Sequence, residues 1–312
     1  GTFGSALAQE NKIKVSAEEA DAIKKIEKAK TLADKMKATT DFVKKYPKSP
    51  AREQAANYLA GQITQTKDDA QIVQNGEAYL TVFTEPAEED LILPSLVYSY
   101  STVKRTKDAF AVAEKYFSRH PEDVALRLKL AVDGANLLRT GTKDFAAPSR
   151  EYAAQSIALI EANKKPANIT DAGWKEYQTK WLPQLYQTLG VFDFYGGDKA
   201  NAGKNLEKAT SLDSSDVNSW ILLVSIKDEE YQAIASKYNI TDLGAERDAL
   251  LKQANEKLDQ VIDMFARVVA LTDGKPEAKE INDQVRQNLE SYYTYRHKNL
   301  DGLPDLIKKY KK

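Results

Sequence analysis

Residues 186–220 read YQTLGVFDFYGGDKANAGKNLEKATSLDSSDVNSW, and two helical patterns meet inside them. The first runs into Tyr195 and is cut by Gly197-Asp198, a pair suited to a tight helix-to-helix turn. Ala202, Leu206 and Ala209 then recur at helical spacing, Leu212-Asp213 closes the second run, and Trp220 opens a third. Side-chain size carries the rest of the argument. Gly190, Ala202 and Ala209 let helix axes approach closely, while Tyr186, Leu189, Leu206 and Trp220 fill the space between them. The stretch reads as one helix hairpin with another beginning behind it.

The same punctuation recurs along the chain. Breaks fall at Pro47, Pro86, Pro121, Pro166, Ser214 and Asp273, at intervals of 39, 35, 45, 48 and 59 residues. Each is preceded by a run ending in aromatic or aliphatic residues and followed by a new helical pattern. KKYPKSPA (44–51) and SRHPEDV (118–124) are two such joints, ending one helix and launching the next. From Ala17, the residues Ala20, Ile23, Ile26, Ala29, Leu32, Ala33 and Met36 predict a single helix stripe. No segment alternates with period two for long enough to suggest a sheet. One hairpin cannot bury its apolar face alone, so a period of two helices predicts stacked hairpins.

The 186–220 pattern resembles the tetratricopeptide repeat family: an aromatic, Leu189-Gly190, the Gly197-Asp198 turn, then Ala202, Leu206 and Ala209. Phe42, Tyr46-Pro47, Ser49-Pro50, Ala55 and Tyr58 resemble the divergent repeats of bacterial envelope proteins, as do Ala109, Ala113, Tyr116 and Pro121. The resemblance implies an all-α, right-handed superhelical solenoid of antiparallel helix hairpins. It would cover residues 17–312 as a single domain of about six hairpins, after a flexible N-terminus of residues 1–16. Two units depart by length, one between Trp220 and Phe265 and one at Lys143 to Ser149. The last helix, Leu303 to Tyr310, would cap the array. In this family the first helix of each hairpin lines the concave surface, which nominates Gln184, Gln187, Phe194, Tyr195, Asn218 and Asp228 as ligand-binding residues. They do not reproduce the Lys/Asn arrangement with which some members clamp a C-terminal carboxylate, so recognition of chaperone tails is not implied.

Bulk composition narrows the function. The 45 basic and 46 acidic side chains nearly cancel, leaving a formal charge of −1, which argues against a nucleic-acid partner that needs a concentrated cationic surface. The tail Lys308 to Lys312 reads as a solvated end. With no cysteine, disulfides, thiolate nucleophiles and Cys-ligated metals are excluded. No stretch reaches the ~20 apolar residues of a membrane span. Ala6-Leu7-Ala8 before Gln9 has the small-x-small pattern of a signal-peptide cleavage site. It predicts a periplasmic or secreted protein, with a cytoplasmic one as the alternative.

Sites for chemistry are sparse. His120 and His297 both fall at helix ends, where such a side chain serves the terminal carbonyls. Neither has a partner at recognisable motif spacing. Asp68-Asp69 and Glu88-Glu89-Asp90 fall at helix starts, where carboxylates complement the dipole. Gly196-Gly197-Asp198 is too short for a phosphate loop, and LDSSD (212–216) lacks the spacing and glycine of a calcium loop. NITD occurs at 168–171 and 239–242; each matches an N-x-Thr sequon and is read instead as an N-cap by Thr170 or Thr241. Trp174, Tyr177, Trp181, Thr188 and Tyr195 follow helical spacing along one long helix, as inter-hairpin packing or as the wall of a groove. Tyr292, Tyr293 and Tyr295 raise the same question. The expectation is a non-catalytic scaffold with no cofactor and no metal, binding a protein or peptide. The alternatives are an envelope carbohydrate- or small-molecule-binding protein and a structural assembly component.

Overall fold

The computed structural model describes residues 13–311, all of it helices and connecting turns. The Ala6-Leu7-Ala8 motif lies outside the described residues. The chain forms two compact units that divide between Leu126 and Arg127.

In the first unit, α1 (Ala17–Lys28), α2 (Leu32–Lys45), α3 (Arg52–Thr64) and α4 (Asp69–Leu80) each pack on the next. The short α5 (Pro86–Glu89) lies on α3, then α6 (Leu93–Thr102) packs on α4 and α7 (Thr106–Phe117) on α6. Local chemistry explains the boundaries. Ser16 and Glu19 form a reciprocal capping box at α1, and Asp68 accepts the Ala70 and Gln71 amides at α4. The stripe predicted from Ala20 to Met36 is broken: α1 ends at Lys28, and the Thr31 hydroxyl caps α2 by accepting the Asp34 amide at 3.1 Å. Apolar spacing runs on across this joint, so the cap and not the periodicity marks it. Gly76 of α4 admits Leu96 of α6, whose Cδ2 would lie 2.7 Å from any Cβ at that position.

The division of the units falls within α8 (Val124–Arg139). The second unit continues with α9 (Ala146–Glu161), α10 (Asp171–Glu176), a π-helical segment Tyr177–Trp181 and α11 (Leu182–Tyr195). Then come α12 (Lys199–Leu212), α13 (Val217–Ile240), α14 (Ala245–Thr272), α15 (Lys279–His297) and α16 (Leu303–Lys308). α11 pairs with α12 and α13 with α14, while α12 packs on α13 and α14 on α15, the order of stacked hairpins. Gly197 takes φ +87° and Asp198 caps α12, as the turn residues predict. Ala202 and Leu206 share a core with Trp220, Leu223 and Ile226 of α13 and Val268 of α14. Each buried Leu or Ile of this kind is worth about 1.5–3 kcal/mol. The predicted insertion is helical: α13 and α14 have 24 and 28 residues against 14 each for α11 and α12. α16 buries Leu303 and Ile307 in one core with Leu258, Val261 and Ile262 of α14.

The two NITD copies behave differently. Thr170 caps α10, its hydroxyl accepting the Gly173 amide. Thr241 does not cap a start; it terminates α13, donating its hydroxyl to the Lys237 carbonyl at 2.7 Å. Gly244, not Thr241, stands at the N-cap of α14.

Candidate functional site

The nominated residues lie on α11 and α13, the first helices of successive hairpins, and they divide into two groups. Gln184, Tyr195 and Asn218 direct side chains that make no hydrogen bond among the described residues. Tyr195 is 47% exposed and Asn218 is exposed. The other three are engaged. Gln187 donates through Nε2 to Asp216 Oδ2 at 2.6 Å, joining α11 to the N-cap of α13. Phe194 packs against the core of α12 and α13, with the Lys199 ammonium over its ring at 5.8 Å. Asp228 accepts the Tyr292 hydroxyl at 2.7 Å and Gln232 Nε2 at 3.5 Å.

Asp216 is the hinge of this arrangement. Its carboxylate takes the Asn218 amide at 3.1 Å, the Ser219 hydroxyl and Gln187 together. A carboxylate at a helix N-terminus is favoured by the dipole, and here it also fixes the neighbouring first helix. Immediately before Phe194, Asp193 is buried and receives Arg150 Nε from α9 and Asn205 Nδ2 from α12, each at 2.8 Å. Neither Arg150 nor Asn205 stands at a spacing that sequence reading could have tied to Asp193.

The aromatic series from Trp174 to Tyr195 does not form one wall. The π-helical segment Tyr177–Trp181 interrupts the helix and offsets the faces on either side of it. Trp174 is buried and donates its indole N–H to Asn163 Oδ1 at 2.8 Å; Thr188 is buried, whereas Tyr195 is exposed. Tyr292 and Tyr293 also pack inward, Tyr292 edge-on to Tyr231 with centroids 5.9 Å apart.

The acids Glu88, Glu89 and Asp90 are not merely dipole partners. Glu88 reaches back to the Glu85 amide at 3.2 Å as a helix-start residue, but its main partner is Arg52 of α3, which holds it bidentately at 2.5 and 2.8 Å. Glu89 pairs with Lys115 and with Arg119 at 3.4 Å. Asp90 receives Arg119 Nε at 2.9 Å and His120 Nε2 at 2.7 Å. His120 therefore pairs with a carboxylate, and its ring stacks on Tyr116 with centroids 4.4 Å apart. Burial pushes the Asp90 carboxyl up, but the hydrogen bonds of Arg119 and His120 outweigh it and hold the group below its usual range. With Arg52 of α3 on Glu88 and Lys115 of α7 on Glu89, the acids of this segment tie neighbouring helices together. His297 sits in the last turn of α15 with its ring centroid 4.3 Å from that of Tyr293.

Among the described residues, no cluster of three His, Cys, Asp or Glu side chains could hold a metal ion, and no helix is long and apolar enough to cross a membrane.

Fold and site together define an all-α protein of stacked helix hairpins, a solenoid type of packing, with a mixed amide and aromatic surface on its first helices. No family model matches the chain, and no curated protein does. A solved tetratricopeptide repeat protein from Parabacteroides merdae is similar at a TM-score of 0.38 and 11% identity, covering 91% of this chain and 98% of that one.

Proposed function

We propose that the protein is a non-catalytic scaffold that binds an extended peptide or a partner helix along the first-helix face of its second unit. The observation that carries this reading is the trio Gln184, Tyr195 and Asn218, whose side chains make no hydrogen bond among the described residues, with Tyr195 and Asn218 exposed. Amides that are not tied down can exchange water for a peptide backbone, and a tyrosine adds apolar contact at low entropic cost. The Gln187–Asp216 bond ties α11 to the start of α13, and Arg150–Asp193 ties α9 to α11, which favours a surface formed before the ligand arrives.

The test is affinity capture from the native host's envelope fraction with the intact chain and with Tyr195→Ala and Asn218→Ala. Retention of the specific partner should fall about tenfold or more, the loss of roughly 1.4 kcal/mol. Capture unchanged by both substitutions would overturn the assignment. An exported location is part of the proposal and rests on Ala6-Leu7-Ala8 alone; cell fractionation decides it, and a purely cytoplasmic pool of the protein would refute it.

A further inference from the structure

Asp228 differs from the other acids of α11 and α13 described above and from its neighbour Glu229. Asp193 has Arg150, Glu229 has Lys199, and Asp216 has a helix N-terminus. Asp228 lies mid-helix in α13, half-buried, and no Lys or Arg reaches ion-pair distance of it among the described residues. Its Oδ1 accepts Tyr292 and Gln232, and its other oxygen has no partner there. A partly desolvated carboxylate without a counter-charge is the group that gains most from a cationic ligand.

The surroundings suit such a ligand. Tyr292 is backed by Phe265 and Tyr231, with ring centroids 5.9 Å away in each case. Burial and the hydrogen bond to Asp228 push the Tyr292 phenol up to about 12, so it remains a donor at neutral pH. Tyr295, one turn on from Tyr292 and Tyr231's electrostatic neighbour, is 62% exposed. Its ring already takes an ammonium: Lys298 Nζ lies 5.2 Å from the centroid without pairing with Asp228. Carboxylate and exposed aromatic ring are the elements of cation recognition, and a planar guanidinium, which stacks on a ring better than an ammonium does, would compete with Lys298 for Tyr295.

Resting on the groove reading, we propose that Asp228, Tyr292 and Tyr295 form a subsite for a basic side chain, arginine in preference to lysine, of the bound peptide. This is the opposite charge sense from a carboxylate clamp.

The probe is acetyl-Gly-Arg-Gly-amide titrated into the full chain, followed by tyrosine-ring NMR, with the citrulline peptide as its uncharged isostere. Saturable shifts of the Tyr292 and Tyr295 rings are expected with arginine. They should weaken about tenfold with citrulline or in Asp228→Asn. Asp228→Asn keeps an acceptor for Tyr292, and Tyr295→Ala, at an exposed position, serves as a second variant and should weaken binding severalfold. Absence of saturable shifts, equal response to citrulline, or indifference to Asp228→Asn and Tyr295→Ala would each overturn the subsite. If partner capture depends on Tyr195 and Asn218 while the arginine peptide fails to bind, the groove stands and the subsite falls. Arginine binding without capture would reverse that result.

Discussion

Gly190 of α11 lies directly against Leu206 of α12: a Cβ at position 190 would fall 2.6 Å from Leu206 Cγ and 2.7 Å from its Cδ2. Leu206 is fully buried, so it cannot swing aside into solvent. Gly190→Ala should therefore destabilise the second unit by roughly 1–3 kcal/mol through overpacking, more than the ~1 kcal/mol that alanine gains in helix propensity. Gly203, one helix on, has nothing within 4 Å of its would-be Cβ, so Gly203→Ala should be neutral or stabilising by about 0.5–1 kcal/mol. Urea unfolding of the two variants checks the contrast; equal behaviour would remove the close-approach argument.

Arg52 and Glu88 test the anchor in the first unit. Glu88 is buried and depends on the bidentate guanidinium, so Arg52→Met should cost about 3–5 kcal/mol by leaving an uncompensated charge. Adding Glu88→Leu should restore most of that loss, since it removes the stranded group. A double-mutant cycle in urea measures the coupling, and strict additivity would mean that the pair is not linked.

Acid should loosen the same region. The Asp90 carboxyl is held below its usual range, with the hydrogen bonds of Arg119 and His120 outweighing burial. A depressed folded value means that the unfolded chain takes up the proton first, so the stability from this group is present above about pH 4 and is lost as pH falls through the folded value. The urea midpoint should decline from pH 5 to pH 3, and Asp90→Asn should flatten that decline while lowering stability at pH 7. An unchanged slope in the variant would assign the acid sensitivity elsewhere.

The C-terminal helix should be integral to the second unit. Arg267 of α14 is sandwiched between Trp220 and Tyr310, its guanidinium carbon 4.5 and 4.0 Å from the two ring centroids, and the Tyr310 hydroxyl bonds Asp263. Leu303→Ala should cost about 2–3 kcal/mol by removing a buried side chain from the core shared with α14. Amide exchange should speed up across residues 258–269, which lie beneath α16. Protection identical to the unaltered chain would show that the helix does not contribute to that core.

Much of the architecture was legible because it is written in local chemistry. Gly197-Asp198 predicted its turn since glycine meets φ +87° without strain and the aspartate supplies a cap. Gly190, Ala202 and Ala209 predicted close packing by their size alone. The joint at Ala29 to Thr31 was harder to see, because apolar spacing continued through it. Thr241 misled for a related reason: the same four residues that start α10 finish α13, and only the length of the preceding helix distinguishes the two.

The candidate surface divides in the same way. Helical periodicity and turn chemistry, which act within a few residues of the chain, placed the helices in the sequence, and the repeat resemblance nominated residues on the first of each pair. Which of them are open was decided by tertiary structure: Gln187 is taken by Asp216, 29 residues away, and one oxygen of Asp228 by Tyr292, 64 residues away, leaving the other. His120 likewise turned to Asp90, 30 residues back. A side chain's partner is set by which helices the core brings together, and burial energy, not local propensity, makes that choice.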